Sequence, residues 1–168
     1  MSLKRLTNLA LFTTLSLAIY AIESAFPMLI PIPGIKAGLA NIITMILLRE
    51  DSLQDASLVL TSRILLSTLL FGQGMSLMYS IVGGYLSLIV LFCVNRLLKG
   101  NYLYLTGALG GLTHNMGQLV VAFLLTSVPA VLAYLPYLAL SGILAGCFTG
   151  LTAGYCRKLL SKIGGNHF

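Results

Sequence analysis

Three side chains able to make hydrogen bonds, His114, Asn115 and Gln118, lie close together in an otherwise apolar stretch of the chain. With Gly107 and Gly111 they recur at spacings of three, four and seven residues, which places them on one face of a helix. An imidazole and two amides can recognise the polar part of a small molecule. A metal centre is not indicated, because the other histidine, His167, stands near the far end of the sequence. The alternative role for His114 is to tie its helix to a neighbour by a hydrogen bond.

The helix that carries these residues belongs to a chain that is too apolar to be a water-soluble protein. Hydrophobic residues make up 58% of its 168 positions and charged residues only 8%, which predicts lipid as the solvent. We expect an all-α membrane protein of one domain, residues 1–168, with six transmembrane helices. The predicted spans are residues 7–26, 37–48, 53–71, 76–98, 102–125 and 131–155. The second covers only about 18 Å at 1.5 Å per residue, so the proline-rich loop before it should dip into the protein.

The basic residues predict the orientation of these spans. With the N-terminus inside, only Lys36 is external and Arg63 falls within a span, whereas the other basic residues that flank spans are cytoplasmic. These are Lys4, Arg5, Arg49, Arg96, Lys99, Arg157, Lys158 and Lys162. Positive residues on the inner side favour an even number of crossings with both termini in the cytoplasm. The alternative, five crossings with a re-entrant second span, puts the C-terminal basic cluster on the wrong side.

Further polar residues are predicted to lie at or above the membrane midplane, facing outward. Charged groups at this depth are costly and should face an interior or a cavity. Arg63 is either part of such a site or a structural partner of Glu23. The substrate-binding candidates are Lys36, Asn41, Arg63, Gln73, Tyr79, His114, Asn115 and Gln118. Together they predict a cavity that opens to the outside.

Small residues mark two faces where helices can approach closely. In the last span, Gly142, Gly146, Gly150 and Gly154 recur every four residues, which predicts either a packing seam within the chain or a contact with another subunit. The first span carries a milder stripe of Ala10, Thr14 and Ala18. That stripe is a candidate surface for docking a partner helix.

Several classes of enzyme are excluded by missing motifs. The chain has no nucleotide-binding GxxxxGK[ST] loop, no paired carboxylates of the DDxxD type for a magnesium diphosphate, no HExxH and no GxSxG. We therefore expect no catalytic residues, no metal and no cofactor. The basic residues form no patch suited to nucleic acid. A membrane enzyme acting on a lipid would have only His114 with Glu23 as acid–base groups.

Two segments resemble a known family. They are Pro33-Gly34-Ile35-Lys36-Ala37-Gly38-Leu39-Ala40-Asn41 and Gly110-Gly111-Leu112-Thr113-His114-Asn115-Met116-Gly117-Gln118. The chain resembles heptaprenyl diphosphate synthase component I, also called the Gx transporter family, over nearly its whole length. That family is related to the substrate-binding S components of energy-coupling factor (ECF) transporters.

The resemblance implies a subunit of the bacterial cytoplasmic membrane that captures a small vitamin-like or precursor molecule from outside. A transmembrane coupling subunit with two ATPases would drive uptake. The substrate would contact Lys36, Asn41, His114, Asn115 and Gln118, and Ala10, Thr14 and Ala18 would dock the coupling subunit. The family's naming points by association to an isoprenoid or quinone-related precursor. The alternative is a noncatalytic membrane subunit that anchors a prenyl diphosphate synthase.

Overall fold

The computed structural model describes residues 2–25, 38–48, 52–71 and 74–163, and these ranges form helices joined by turns, without strands. The helices are α1 (Leu3–Ala25), α2 (Asn41–Leu47), α3 (Leu53–Phe71), α4 (Gly74–Leu97), α5 (Leu103–Thr126) and α6 (Leu135–Ile163), with a 3₁₀ helix at Pro129–Tyr134 before α6. The prediction of an all-helical protein is confirmed.

Five segments among the described residues are long and apolar enough to cross a membrane: α1, α3, α4, α5, and the 3₁₀ helix with most of α6. This identifies a multi-pass membrane protein. The remaining helix, α2, has seven residues and is about 10 Å long at 1.5 Å per residue. Alone it cannot cross the hydrocarbon core of a bilayer.

The boundaries of the long helices differ from the predicted spans by at most four residues, except at the end of the last one, where the span was predicted to end at residue 155 but α6 extends to Ile163. At the start of that span, predicted at residue 131, residues 129–134 form a 3₁₀ helix and the α-helix begins at Leu135. Pro136 is the reason, because a proline lacks an N–H and its ring clashes with the carbonyl four residues before it. Proline is tolerated only in the first turn, so α6 begins immediately before it.

Helix α5 has the largest buried share among the five candidate membrane spans. It packs against α4 on one side and α6 on the other, while α1 packs on α3 and α3 on α4. The short helix α2 is enclosed by α1, α3, α4 and α6, and five consecutive residues from Asn41 to Met45 are buried. Leucines on the outward faces of the long helices are exposed, for example Leu69 of α3 and Leu124 of α5, as expected of side chains that meet lipid.

Glycines set the separation of α5 from α6. A Cβ built on Gly107 would collide with the carbonyl oxygen of Gly146, and one built on Gly111 would collide with that of Gly142. A Cβ built on Gly150 would likewise collide with the carbonyl oxygen of Leu103. The two backbones are therefore in direct contact, and no side chain larger than hydrogen fits between them. Gly154 lies at the looser end of this seam, where a Cβ would meet only the tip of the Leu103 side chain, at 3.3 Å.

Polar side chains from other helices bind both ends of α2. The Glu23 carboxylate on α1 accepts hydrogen bonds from the N–H groups of Gly38, at 2.7 Å, and Leu39, at 3.1 Å, in the turn before the helix. At the other end, Arg157 of α6 donates to the Met45 carbonyl oxygen, and Asn95 Nδ2 of α4 donates to that of Leu48 at 3.3 Å. An anion at the start and a cation at the end match the helix dipole and satisfy backbone groups that α2 leaves open.

Candidate functional site

His114 and Gln118 form a buried polar pair on α5. Their side chains are only 3% and 1% exposed, and the Gln118 Nε2 atom lies 3.0 Å from His114 Nε2. The pair is one helical turn apart, which is why the two side chains meet. If the amide nitrogen donates, His114 Nε2 accepts and the ring proton is on Nδ1. Nδ1 then faces the backbone of Gly83 on α4, although the contact lacks normal hydrogen-bond geometry.

The turn before α2 lies directly on the imidazole of His114. Gly38 has a φ of +83°, and a Cβ at this position would lie 2.9 Å from His114 Cδ2. Glycine is needed here for two reasons, since other residues rarely adopt this backbone conformation and none leaves room for the ring. On the opposite side, a Cβ on Gly83 would lie 2.8 Å from the His114 carbonyl oxygen. Two glycines therefore hold His114 between α4 and the turn.

Asn41, in the first turn of α2, is brought to the same region. Its Nδ2 atom donates to Ser87 Oγ of α4 over 3.4 Å, a long hydrogen bond. Both side chains line a small cavity between α2, α4, α5 and α6, whose wall also includes Thr149 and the glycines Gly38, Gly107, Gly110, Gly111 and Gly146. The volume open to the centre of a water molecule is about 10 Å³, close to the minimum for one water.

Asn115 faces away from this group although it adjoins His114 in the sequence. Its Nδ2 atom donates to the Leu138 carbonyl oxygen at 2.9 Å and to Ser141 Oγ at 3.2 Å. Because a carbonyl can only accept, this orientation of the amide is fixed. The Asn115 side chain therefore ties α5 to α6. Its Oδ1 atom is buried and has no hydrogen-bond partner among the described residues.

Arg63 is a buried cation on α3, with 4% of its surface exposed. It interacts electrostatically with Glu23 and Tyr20 of α1 and with His114 of α5. The charge of Arg63 is thus offset by Glu23, which also binds the turn above His114. This arrangement links the buried cation to the polar pair through the same carboxylate.

The other predicted site residues are placed as follows. Tyr79 is buried in an apolar cluster with Leu119, Val121, Ala122 and Leu138. Lys36 and Gln73 lie outside the described residues. Within the described ranges, no three histidine, cysteine or acidic side chains come together as a metal-binding group.

Sequence reasoning missed Ser87 and Thr149, which line the cavity, and Gly38 as the cover of His114. Gly38 could have been found, because a glycine inside the motif that contains Asn41 signals a special backbone conformation. A single serine or threonine in an apolar helix carries no such signal, since its hydroxyl usually bonds to its own backbone.

The stripe of Ala10, Thr14 and Ala18 lies on an exposed face of α1. Thr14 Oγ1 donates to the Ala10 carbonyl oxygen at 2.9 Å, so its polar group is satisfied within the helix. Either lipid or another helix can therefore cover this face.

Comparison with known proteins identifies the family of the chain. No curated protein and no solved structure shows significant similarity to it. The family model described as heptaprenyl diphosphate synthase component I matches residues 12–156, a range that contains α2 to α5 and the polar residues of the site. This protein, a multi-pass membrane protein, therefore belongs to the heptaprenyl diphosphate synthase component I family.

Proposed function

We propose that this protein is the substrate-binding subunit of an uptake transporter, similar to the S components of energy-coupling factor transporters. It would capture a small vitamin-like, isoprenoid or quinone-related precursor at the outer face of the bacterial cytoplasmic membrane. In this proposal α2 completes a six-helix layout with both termini in the cytoplasm, and the protein itself catalyses no reaction.

The observation that carries the proposal is the burial of His114 and Gln118 beneath the turn at Gly38. Polar side chains inside a membrane bundle cost free energy and are retained mainly where they bind something or hold helices together. Asn115 has the second role, since it bonds to α6. His114 and Gln118 contact each other within α5, and the imidazole lies against a turn that is held by hydrogen bonds to Glu23. Such a turn can act as a cover over a ligand site.

The orientation also supports capture from outside. The positive-inside rule favours the cytoplasmic side for the C-terminal ends of α4 and α6. Arg96 lies in the last turn of α4 and Lys99 just after it, and Lys158 and Lys162 lie near the end of α6. The turn at Gly38 then lies toward the outer side, because α2 runs inward from it to the level of Arg157. The described cavity has room for about one water. An organic substrate would therefore enter only after the turn moves away from His114.

The exposed face of α1 supports a partner in the membrane. In our proposal Ala10, Thr14 and Ala18 contact a transmembrane coupling subunit, which joins two ATPases that supply the energy. Small residues allow such a helix pair to form without any hydrophobic force. Those ATPases would have to be separate chains, because this one has no phosphate-binding loop.

The name of the family favours a second candidate function, a noncatalytic membrane subunit that anchors a prenyl diphosphate synthase. The two functions differ in what the protein should carry on gentle purification from its own host. We expect native mass spectrometry to detect a bound small organic molecule and ATPase subunits. Recovery of a prenyl diphosphate synthase, with no small molecule, would reject the transport function and support the anchor.

Alanine substitution tests the polar pair directly. We expect His114→Ala and Gln118→Ala each to reduce retention of the bound molecule about tenfold or more, because each removes a buried hydrogen-bonding group worth roughly 1–2 kcal/mol. Native mass spectrometry measures the occupied fraction. Thr113→Ala is the control, since the Thr113 hydroxyl bonds only to the backbone of its own helix, at Leu109 and Gly110. Retention at the wild-type level in both variants would remove the pair from the site.

A further inference from the structure

The walls of the cavity between α2, α4, α5 and α6 are formed by glycines, by Met45 and Leu91, and by three uncharged polar side chains. Three of its lining residues can form hydrogen bonds through their side chains, and all are more than nine-tenths buried: Asn41, Ser87 and Thr149 are 5%, 1% and 3% exposed. They come from three different helices. Their side chains therefore converge on one small space from separate directions.

The hydrogen bonds already made define what these groups can still bind. Asn41 Nδ2 donates to Ser87 Oγ, which leaves the Ser87 hydroxyl proton free to donate elsewhere. Thr149 donates its proton to the Gly146 carbonyl oxygen at 2.8 Å, so its oxygen retains lone pairs. Asn41 Oδ1 is likewise an acceptor. The cavity thus offers one donor and two acceptors.

We propose that this cavity binds a single water molecule that joins α2 to α4 and α6. The water accepts a hydrogen bond from Ser87 and donates to Asn41 Oδ1 and Thr149 Oγ1. Three bonds are typical of a buried water, and the volume of about 10 Å³ matches one such molecule. The water site is independent of the proposed function.

Two other occupants fit the cavity less well. A monovalent cation would be buried among uncharged groups with three side-chain oxygens around it, and an unpaired charge in such a setting is very costly. An empty space is typical of cavities lined by hydrocarbon alone. Here an empty space would leave Ser87 and Thr149 with unused hydrogen-bonding capacity in a buried position.

A double-mutant cycle in the full-length protein tests whether one molecule joins the two hydroxyl groups. We expect Ser87→Ala and Thr149→Val each to lower the Tm by about 2–5 °C. The described hydrogen bonds include none between Ser87 and Thr149, so without a bridge their effects should add. If both hydroxyl groups act through the water, the Tm of the double variant should be little lower than that of the less stable single variant. Additive losses would overturn the proposal.

Thr152→Val is the matched control for the threonine. Thr152 lies on the same helix and donates to the Phe148 carbonyl oxygen at 2.8 Å, but it does not line the cavity. We expect the Tm of Thr152→Val to stay at the wild-type value. The Tm of Thr149→Ser should be well above that of Thr149→Val, because serine keeps the hydroxyl. Equal losses in the two valine variants would show that only the bond to the helix backbone matters, and would reject the water.

Salt exchange separates a water from a cation. The Tm of the wild-type protein should be the same in sodium chloride, potassium chloride and choline chloride at equal ionic strength. A rise specific to sodium or potassium that disappears in Thr149→Val would identify a cation and reject the water.

Discussion

Replacing Gly146 with leucine is expected to prevent α6 from packing against α5. A Cβ alone at this position collides with the Gly107 carbonyl oxygen and lies 2.9 Å from Ala108 Cα. Because the obstacles are backbone atoms, no rotamer change relieves the collision and the whole helix must move. We expect the free energy of unfolding to fall by about 3 kcal/mol or more. Thermal unfolding followed by size-exclusion chromatography measures the loss.

Gly154 provides the control for this experiment, since it lies on the same stripe two turns further along α6. The nearest atom to a Cβ there is Leu103 Cδ1, at 3.3 Å, the end of a flexible side chain that can turn aside. Gly154→Ala should therefore be neutral or slightly stabilising, because alanine is favoured over glycine in a helix by up to about 1 kcal/mol. Gly146→Ala should be destabilising. The same sign of change in both alanine variants would contradict direct backbone contact at Gly146.

Replacing Arg157 with methionine is expected to loosen α2 at its C-terminal end. The substitution removes the donor to the Met45 carbonyl oxygen and the positive charge at the negative end of the helix dipole. A hydrogen bond from a charged group contributes about 1.5–3 kcal/mol. We expect the Tm to fall by about 4–8 °C, given roughly 2–4 °C per kcal/mol for a chain of this size.

Hydrogen exchange locates that effect within the fold. In Arg157→Met, the amides of residues 41–48 should exchange faster, while those of α5 keep their protection, because the hydrogen bond to Met45 that is removed belongs to α2. Lys162→Met is the control, since Lys162 is an exposed residue in the last turn of the same helix. If the two variants lose equal stability, charge at this end of the bundle matters and the bond to Met45 does not.

The sequence predicted the long helices well because lipid requires every backbone group to be bonded within its own segment. Uninterrupted apolar runs therefore translate directly into α1, α3, α4 and α5. The last span was predicted from residue 131 and the apolar segment of the structure starts at Pro129, but its α-helical part begins only at Leu135 because Pro136 follows. The spacing of apolar residues did not show the positive φ of Gly38, which lies in the turn before α2.

The candidate site was less predictable, for a geometric reason. His114 and Asn115 were assigned to one face, but consecutive residues in a helix point about 100° apart. In the bundle that difference sends Asn115 to α6 and His114 to α4 and the turn at Gly38. Which helix packs against each side of α5 depends on how the helices assemble, and the spacing of residues along α5 does not show it.

The bond between Arg157 and Met45 has a consequence for the order of events during biosynthesis. The two residues are 112 positions apart, so α2 leaves the ribosome long before its partner at the C-terminal end is made. Until then the Met45 carbonyl lacks this donor, and closing so long a loop is slow. The final packing of α2 into the bundle should therefore be a late step in assembly. A nascent chain that stops before α6 should keep residues 41–48 open to hydrogen exchange even after α1, α3, α4 and α5 are in the membrane.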